Sequence, residues 1–306
     1  MIIYYDSGGK LFGNIIRENG QGWHYPPLVP GEFGMFLCKI RAIKQWVCRL
    51  PKVADDDPLL IVFDTYLNLQ YIVRLKKKYP DKQIVCWCWN PINKKNKETF
   101  RQIGNVVPVW SYSPADCKLY GMKYNTQFFF DSLIPDHAPG ADEPKASGSA
   151  PKALFIGREK SKRAEMLERI FSELEASGAV VEKHLVKKLD RHGILKYVTR
   201  ENLIPYRDVL KMTADADILI DCYGSDTAGC SLRPLESMFF GKKLVTDNPS
   251  LMEYDFYDSH NIYVIGHEDR SLKDFMEEPF VPVPDEIKNE YRFSRWLQRF
   301  LESDQP

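Results

Sequence analysis

Residues 216–249 read ADILIDCYGSDTAGCSLRPLESMFFGKKLVTDNP, and the pattern is strand, loop, helix, strand. Ile218, Leu219 and Ile220 form a short apolar run between Asp217 and Asp221, as a parallel strand buried on both faces requires. Gly224 and Gly229 punctuate a polar loop. Ser231 is placed to cap a helix whose first turn contains Pro234, where the missing N–H has no helical partner to lose. Gly241 stops that helix, Lys242 and Lys243 fall at its negative end, and Leu244-Val245-Thr246 opens the next strand. A loop that delivers a helix N-terminus at the end of a parallel strand presents free N–H groups and the positive end of the helix dipole, so it favours phosphate.

Upstream, Lys152–Ile156 is a strong strand, and Ser161–Ser177 is a helix with Met166, Leu167, Ile170, Phe171 and Leu174 on one stripe. Between them lies Gly157-Arg158-Glu159-Lys160-Ser161-Lys162-Arg163. Cations at a helix start oppose the dipole, and a bound anion would account for them. Val180–Val186 is a further strand, and Asn202–Leu210 enters another helix that carries Tyr206. Tyr206 reads either as a contact to a base or phosphate or as a packing residue, with packing favoured. After Pro249, residues 261–265 make a last strand, and Glu286–Leu301 reads as one amphipathic helix.

The first half has the same grammar. Met1–Tyr5 is a strand followed by Asp6-Ser7-Gly8-Gly9, where the glycines let backbone approach a ligand. Trp23–Gly34 is an irregular loop rich in Pro, Gly and aromatics, and Phe36–Leu50 reads as an amphipathic helix ending before Pro51. Leu59–Asp64 is a buried strand ending in an acid; Asp64 suits a catalytic base or, more simply, the cap of the helix Tyr71–Tyr79. Gln83–Trp89 and Val106–Trp110 are the next strands, and Asp116 begins a short helix broken by Gly121. Residues 135–151, PDHAPGADEPKASGSAP, are too poor in large apolar side chains to bury a core and read as a linker.

Composition narrows the class. With 306 residues the chain is long enough for two domains. Lys+Arg and Asp+Glu both number 42, which argues against nucleic acid as a partner. No apolar stretch approaches the ~18 residues that span a bilayer, and the N-terminus reads as a first strand rather than a signal peptide. Seven cysteines without a CxxC pair point to core thiols in a reducing cytoplasm, with Cys86 and Cys88 on one side of their strand. No GxxxxGK[ST], GxSxG or HExxH occurs, and the histidines show no metal spacing. Asp215-Ala216-Asp217 precedes its strand rather than following it, so no metal site is expected. A dehydrogenase is disfavoured because no GxGxxG follows either first strand.

The organising stretch resembles the nucleotide-sugar half of a GT-B glycosyltransferase. The residues that carry the likeness are Gly229, Ser231, Arg233, Glu236 and Gly241. The segment WNP at 89–91 with Asp116, Tyr120-Gly121-Met122 and Tyr124 is similar to the first half of bacterial cell-surface polysaccharide glycosyltransferases. The resemblance implies two Rossmann-like parallel-sheet α/β domains facing a cleft, with an acceptor-side domain at 1–138, a linker at 139–151, a donor domain at 152–284 and a C-terminal helix at 285–306 that crosses back. It implies a metal-independent transfer from a nucleotide-sugar, a substrate rather than a cofactor, to a glycan or lipid-linked glycan in lipopolysaccharide or capsule assembly. The expected location is the cytoplasm, with peripheral contact at the inner membrane. Donor contacts are implied for Gly157, Arg158, Lys162, Tyr206, Gly229, Ser231, Leu232, Arg233 and Glu236, the last on the ribose, and Asp6 and Asp64 are the candidate bases. The acid usual eight residues before Glu236 is replaced by Ala228, and Asp226 is out of register, so the stereochemical course stays open. Two alternatives also stay open: a nucleotide-sugar epimerase of similar fold, and a non-catalytic nucleotide- or sugar-binding module.

Overall fold

A computed structural model describes residues 2–3, 13–24, 31–37, 40, 43–63, 69–94, 96–136, 149–158, 161–186, 204–223, 229–267 and 269–302. The chain divides into two compact units, one of Met1–Thr126 with Trp296–Pro306 and one of Gln127–Arg295. Most of the expected linker, residues 139–148, lies outside the described residues.

The first unit contains β1 (Ile2–Ile3), α1 (Gly13–Glu18), α2 (Gly31–Leu37), α3 (Lys44–Val47), β2 (Leu59–Phe63), α4 (Leu69–Lys78), β3 (Gln83–Cys88), α5 (Lys97–Gly104), β4 (Val109–Ser111), α6 (Pro114–Tyr120) and β5 (Lys123–Tyr124). Its sheet is wholly parallel in the order β1-β2-β3-β4-β5. Side chains alternate across the strands. Leu60, Val62, Ile84, Cys86 and Cys88 pack with Tyr71, Ile72 and Leu75 of α4 and Phe100 and Ile103 of α5. Phe63, Trp87 and Trp110 lie in register on the opposite face.

That opposite face receives the end of the chain, in α12 (Phe293–Glu302). The Trp296 ring lies 6.0 Å from Phe63 and 5.2 Å from Trp87, and Phe300 lies 4.8 Å from Trp110. Gln83 Nε2 donates to Phe300 O at 2.9 Å, and Asn125 Nδ2 to Trp296 O at 3.1 Å. A sheet whose strands advance in one direction, joined by right-handed crossovers, carries those crossovers on one side. Its other side needs a cover from elsewhere, and Trp296 and Phe300 supply it.

The second unit contains β6 (Lys152–Arg158), α7 (Ser161–Ala176), β7 (Val180–Val186), α8 (Tyr206–Asp215), β8 (Ile218–Asp221), α9 (Leu232–Phe240), β9 (Lys243–Thr246), β10 (Ile262–Val264), α10 (Leu272–Glu277) and α11 (Asp285–Glu290). The sheet is again parallel, in the order β10-β9-β8-β6-β7. The order turns back at β6: β7 lies on one side of it and β8 on the other. In open parallel sheets, ligands bind outside the carboxyl ends of the two strands where the order reverses. Phe128–Phe130, just past the unit boundary, anchors this unit, with Phe129 stacked on Phe239 at 5.1 Å and Phe128 and Phe130 against Phe293.

Three expectations about elements are corrected. Where a single helix is expected over Phe36–Leu50, the described residues carry the end of α2 (Gly31–Leu37), which begins within the loop expected over Trp23–Gly34, and α3 (Lys44–Val47), with Ile40 N bonded to Leu37 O and Ile43 N to Ile40 O. The helix expected over Glu286–Leu301 is broken at Tyr291 and Arg292. Phe129 N bonds Tyr291 O at 2.8 Å and Phe293 N bonds Phe129 O at 2.8 Å, and this backbone pairing is incompatible with a continuous helix. Lys242 closes the end of α9 through its backbone, its N–H bonding Ser237 O at 2.9 Å, while the side chains go elsewhere: Lys242 Nζ donates to Ala214 O at 2.7 Å, and Lys243, buried as the first residue of β9, donates to Phe275 O. No helix among the described residues is long and apolar enough to cross a membrane.

Candidate functional site

The site is built on α9 and the carboxyl ends of β6 and β8. Ser231 is extended (φ −78°, ψ −174°), and its Oγ accepts from Arg233 N at 3.2 Å, capping α9 as the sequence suggests. The same hydroxyl donates to Asp221 Oδ2 at 3.1 Å, tying the helix start to the last residue of β8. Gly229 has φ 138°, a region that favours glycine, and its amide donates to Ser250 Oγ at 3.3 Å while Asn248 Nδ2 holds its carbonyl at 3.0 Å. Gly241 closes α9 in the left-handed conformation (φ 62°), its N–H bonded to Ser237 O.

Glu236 lies one turn into α9 with only 2% of its surface exposed. Both carboxylate oxygens are engaged: Oε1 accepts from the Tyr206 hydroxyl at 2.9 Å, and Oε2 pairs with Arg233 Nη1. Arg233 Nη2 also reaches Ile156 O at 3.4 Å, joining α9 to the end of β6. Burial pushes the Glu236 carboxyl up, against the pull of Arg233 and Tyr206. The Tyr206 hydroxyl is raised by burial and by the neighbouring carboxylate. A carboxylate removed from water is stable only when paired and hydrogen-bonded, and this one is both.

Asp221 is raised by burial to about 6, with Arg233 and Ser231 pulling against the shift and Asp247 and Glu236 adding to it. Asp247 accepts from Tyr223 N at 2.7 Å and from the Cys222 thiol at 3.4 Å. A carboxyl raised in the folded state binds its proton more tightly there than in the unfolded chain. Its contribution is full below the ordinary carboxylate range and is lost as pH rises through about 6. Wild type is therefore expected to lose, relative to Asp221→Asn, on the order of 2 kcal/mol between pH ~4 and ~6. Urea midpoints at pH 4, 5, 6 and 7 measure this, and parallel curves for the two proteins would exclude Asp221 as the titrating group.

Of the residues singled out by sequence, the structure brings together Tyr206, Gly229, Ser231, Leu232, Arg233 and Glu236, with Gly157 next to the Ile156 carbonyl that Arg233 reaches. Arg158 ends β6, paired with Val186, and Lys162 is the second residue of α7; only their backbones are described. Asp6, Asp64, Asp226 and Ala228 lie outside the described residues. Sequence reasoning missed Asp221, Asp247 and Arg163. Arg163 Nη1 donates to Cys222 O at 2.7 Å, immediately past β8. The basic run 158–163 holds Arg163, but nothing local says that this cation reaches the residue after β8.

No family model matches the chain, and no curated protein does. Among solved structures, the apo form of the lipopolysaccharide outer core galactosyltransferase WaaB aligns over 100% of both chains at 12% identity with a TM-score of 0.52. At that identity the likeness shows the fold alone, and the fold is GT-B: two Rossmann-like parallel-sheet α/β units. A kitacinnamycin glycotransferase aligns over 100% of this chain and 98% of its own at 14% identity, but with a TM-score of 0.44 that likeness carries no argument.

Proposed function

We propose that this chain is a glycosyltransferase that moves a sugar from a nucleoside diphosphate sugar to a glycan or lipid-linked glycan. The observation that carries the reading is the buried Glu236 carboxylate, oriented by Arg233 and Tyr206, one turn inside a capped helix that starts where the second sheet reverses its order. Glu236 has acceptor capacity for ribose hydroxyls, and the N-terminus of α9 has amides and a dipole suited to a diphosphate.

In the reaction the bond between the anomeric carbon and the diphosphate oxygen breaks, and the acceptor hydroxyl oxygen bonds that carbon. Charge grows on the leaving diphosphate, where preorganised donors count most. The hydroxyl proton passes to a base, for which Asp6 and Asp64 remain the candidates if the anomeric centre inverts. The protein's own cations, Arg158 and Lys162 among them, take the counter-charge in place of a metal. An acceptor in lipopolysaccharide or capsule assembly, at the cytoplasmic face of the inner membrane, completes the proposal.

Thermal-shift and calorimetric screening against UDP, GDP, CDP, ADP and their sugars tests it. One nucleoside diphosphate is expected to bind and raise the melting temperature. Its sugar is then expected to move to a glycan acceptor, releasing the diphosphate. A panel with no binder would end the proposal. Release of a free epimer would replace it with an epimerase, and binding without any turnover would replace it with a binding module.

A further inference from the structure

We infer that the turn from α6 into β5, residues 118–124, is where the first unit rests on a bilayer that carries anionic headgroups. The inference rests on the membrane location proposed above and gives it a surface. Its test needs neither donor nor acceptor, so each can fail alone.

The turn is held from within. Ser113 caps α6, and Gly121 ends it in the left-handed conformation (φ 64°) that sends the chain into β5. The Cys117 thiol donates to Lys123 O at 3.5 Å and keeps β5 against the last turn of the helix. Among the described residues β5 is an edge strand, paired with β4. Yet this well-tied junction shows large apolar groups to solvent. Leu119 is 72% exposed, and Tyr120 and Tyr124 are 41% and 44% exposed. A single exposed apolar residue is ordinary, but three within residues 119–124 form a patch.

The charge around that patch has one sign. Lys118 and Lys123 are exposed beside it. The one acid between Ser113 and Asn125 is Asp116, which is 7% exposed and accepts from Ile92 N at 2.9 Å. That bond brings the loop after β3 to α6, and Lys94 and Lys97, exposed just beyond Ile92, add to the charge. Glu98 is already paired with Arg101 at 2.7 Å. In a chain with 42 cations and 42 acids, this is a local surplus.

Lysine ammonium groups, tyrosine rings and an aliphatic side chain match, in that order, the phosphate level, the headgroup layer and the upper acyl chains of a bilayer. A second copy of this chain fits less well. β5 has two residues, too few to continue a sheet into a neighbour. Three partly exposed side chains also fall short of the ~800 Å² per partner that a stable interface buries.

The test is cosedimentation of the full chain with phosphatidylcholine vesicles, with and without phosphatidylglycerol. Wild type is expected to bind the anionic vesicles, to come off as salt rises, and to leave the neutral ones. Lys118→Gln combined with Lys123→Gln is expected to weaken binding about 30-fold, and Leu119→Ser about tenfold. Both are surface changes and should keep the wild-type melting temperature. Trp46→Ser, at a position 71% exposed on α3, is the control and should bind like wild type. Binding to neither vesicle, equal binding to both, or undiminished binding by the variants at 118, 119 and 123 would overturn the inference. A dimer in analytical ultracentrifugation that Leu119→Ser dissolves would overturn it too, giving the patch to a second copy. A wild type that binds anionic vesicles but no nucleoside diphosphate would sink the enzyme reading alone.

Discussion

Replacing Trp296 with alanine is expected to cost the first unit about 3–5 kcal/mol, the usual range for emptying a fully buried aromatic site. Trp296 has no exposed surface. Its ring meets Phe63, Trp87 and Phe300 at 6.0, 5.2 and 4.8 Å, the last two edge to face. Such pairs add ~0.5–1.5 kcal/mol beyond the area they bury. Alanine retains the backbone carbonyl that accepts from Asn125, so the loss is one of packing. Set against a typical total of about 5–15 kcal/mol, the change should move the first unit's urea transition well ahead of the second's. Because two units can unfold in two steps, circular dichroism and tryptophan fluorescence should be followed together. Leu301→Ala, on the same helix but 43% exposed, is the control and should stay within about 0.5 kcal/mol. A Trp296→Ala transition shifted no more than the control would mean that α12 is not what covers the sheet.

Glu236→Ala is expected to have two separable effects. It leaves the Arg233 guanidinium, 12% exposed, without its carboxylate. Breaking a buried pair from one side typically costs about 3–5 kcal/mol, because the remaining charge stays buried and unmatched. It also takes from the proposed site the acceptor for the ribose, worth roughly 10- to 100-fold in donor affinity. Glu236→Gln separates the two. The amide oxygen still accepts from Tyr206, while the charge facing Arg233 is gone. Folding should recover part of its loss in the glutamine variant, and donor affinity should remain low. Calorimetry with the nucleoside diphosphate, on protein shown to be folded, makes the comparison. Wild-type affinity in either variant would assign Glu236 to structure alone.

What the sequence discloses about this molecule follows the range of the forces involved. The cap at Ser231 and the stop at Gly241 were legible because each depends on one side chain and its own backbone. The strands β8 and β9 were legible because a strand buried on both faces must be apolar along its length, whereas β7, at the sheet edge, is a strand despite Glu182, Lys183 and His184. The break at Tyr291 was not, since its cause is the backbone of Phe129, far away in the chain. The apolar stripe of the last helix was read as one face, but it serves two: Tyr291 and Phe293 belong to the second unit, and Trp296 and Phe300 to the first. Likewise the bond from Arg163 to Cys222 O could not be read in advance, because it depends on where the first turn of α7 lies against the residue after β8. Glu236 and its partner Arg233 lie one turn apart on the same helix, yet the hydroxyl that Glu236 accepts from Tyr206 follows only from how α8 packs.

The helix that covers the first sheet follows its last strand only after residues 127–295 have intervened. Translation at ~5–20 residues per second puts roughly ten to thirty seconds between the two. For that interval a newborn chain carries Phe63, Trp87 and Trp110 with their lid still unmade, which is when chaperones would find them. A point substitution at Trp296 would then lower the yield of folded protein in the cell by more than its effect on the finished molecule suggests.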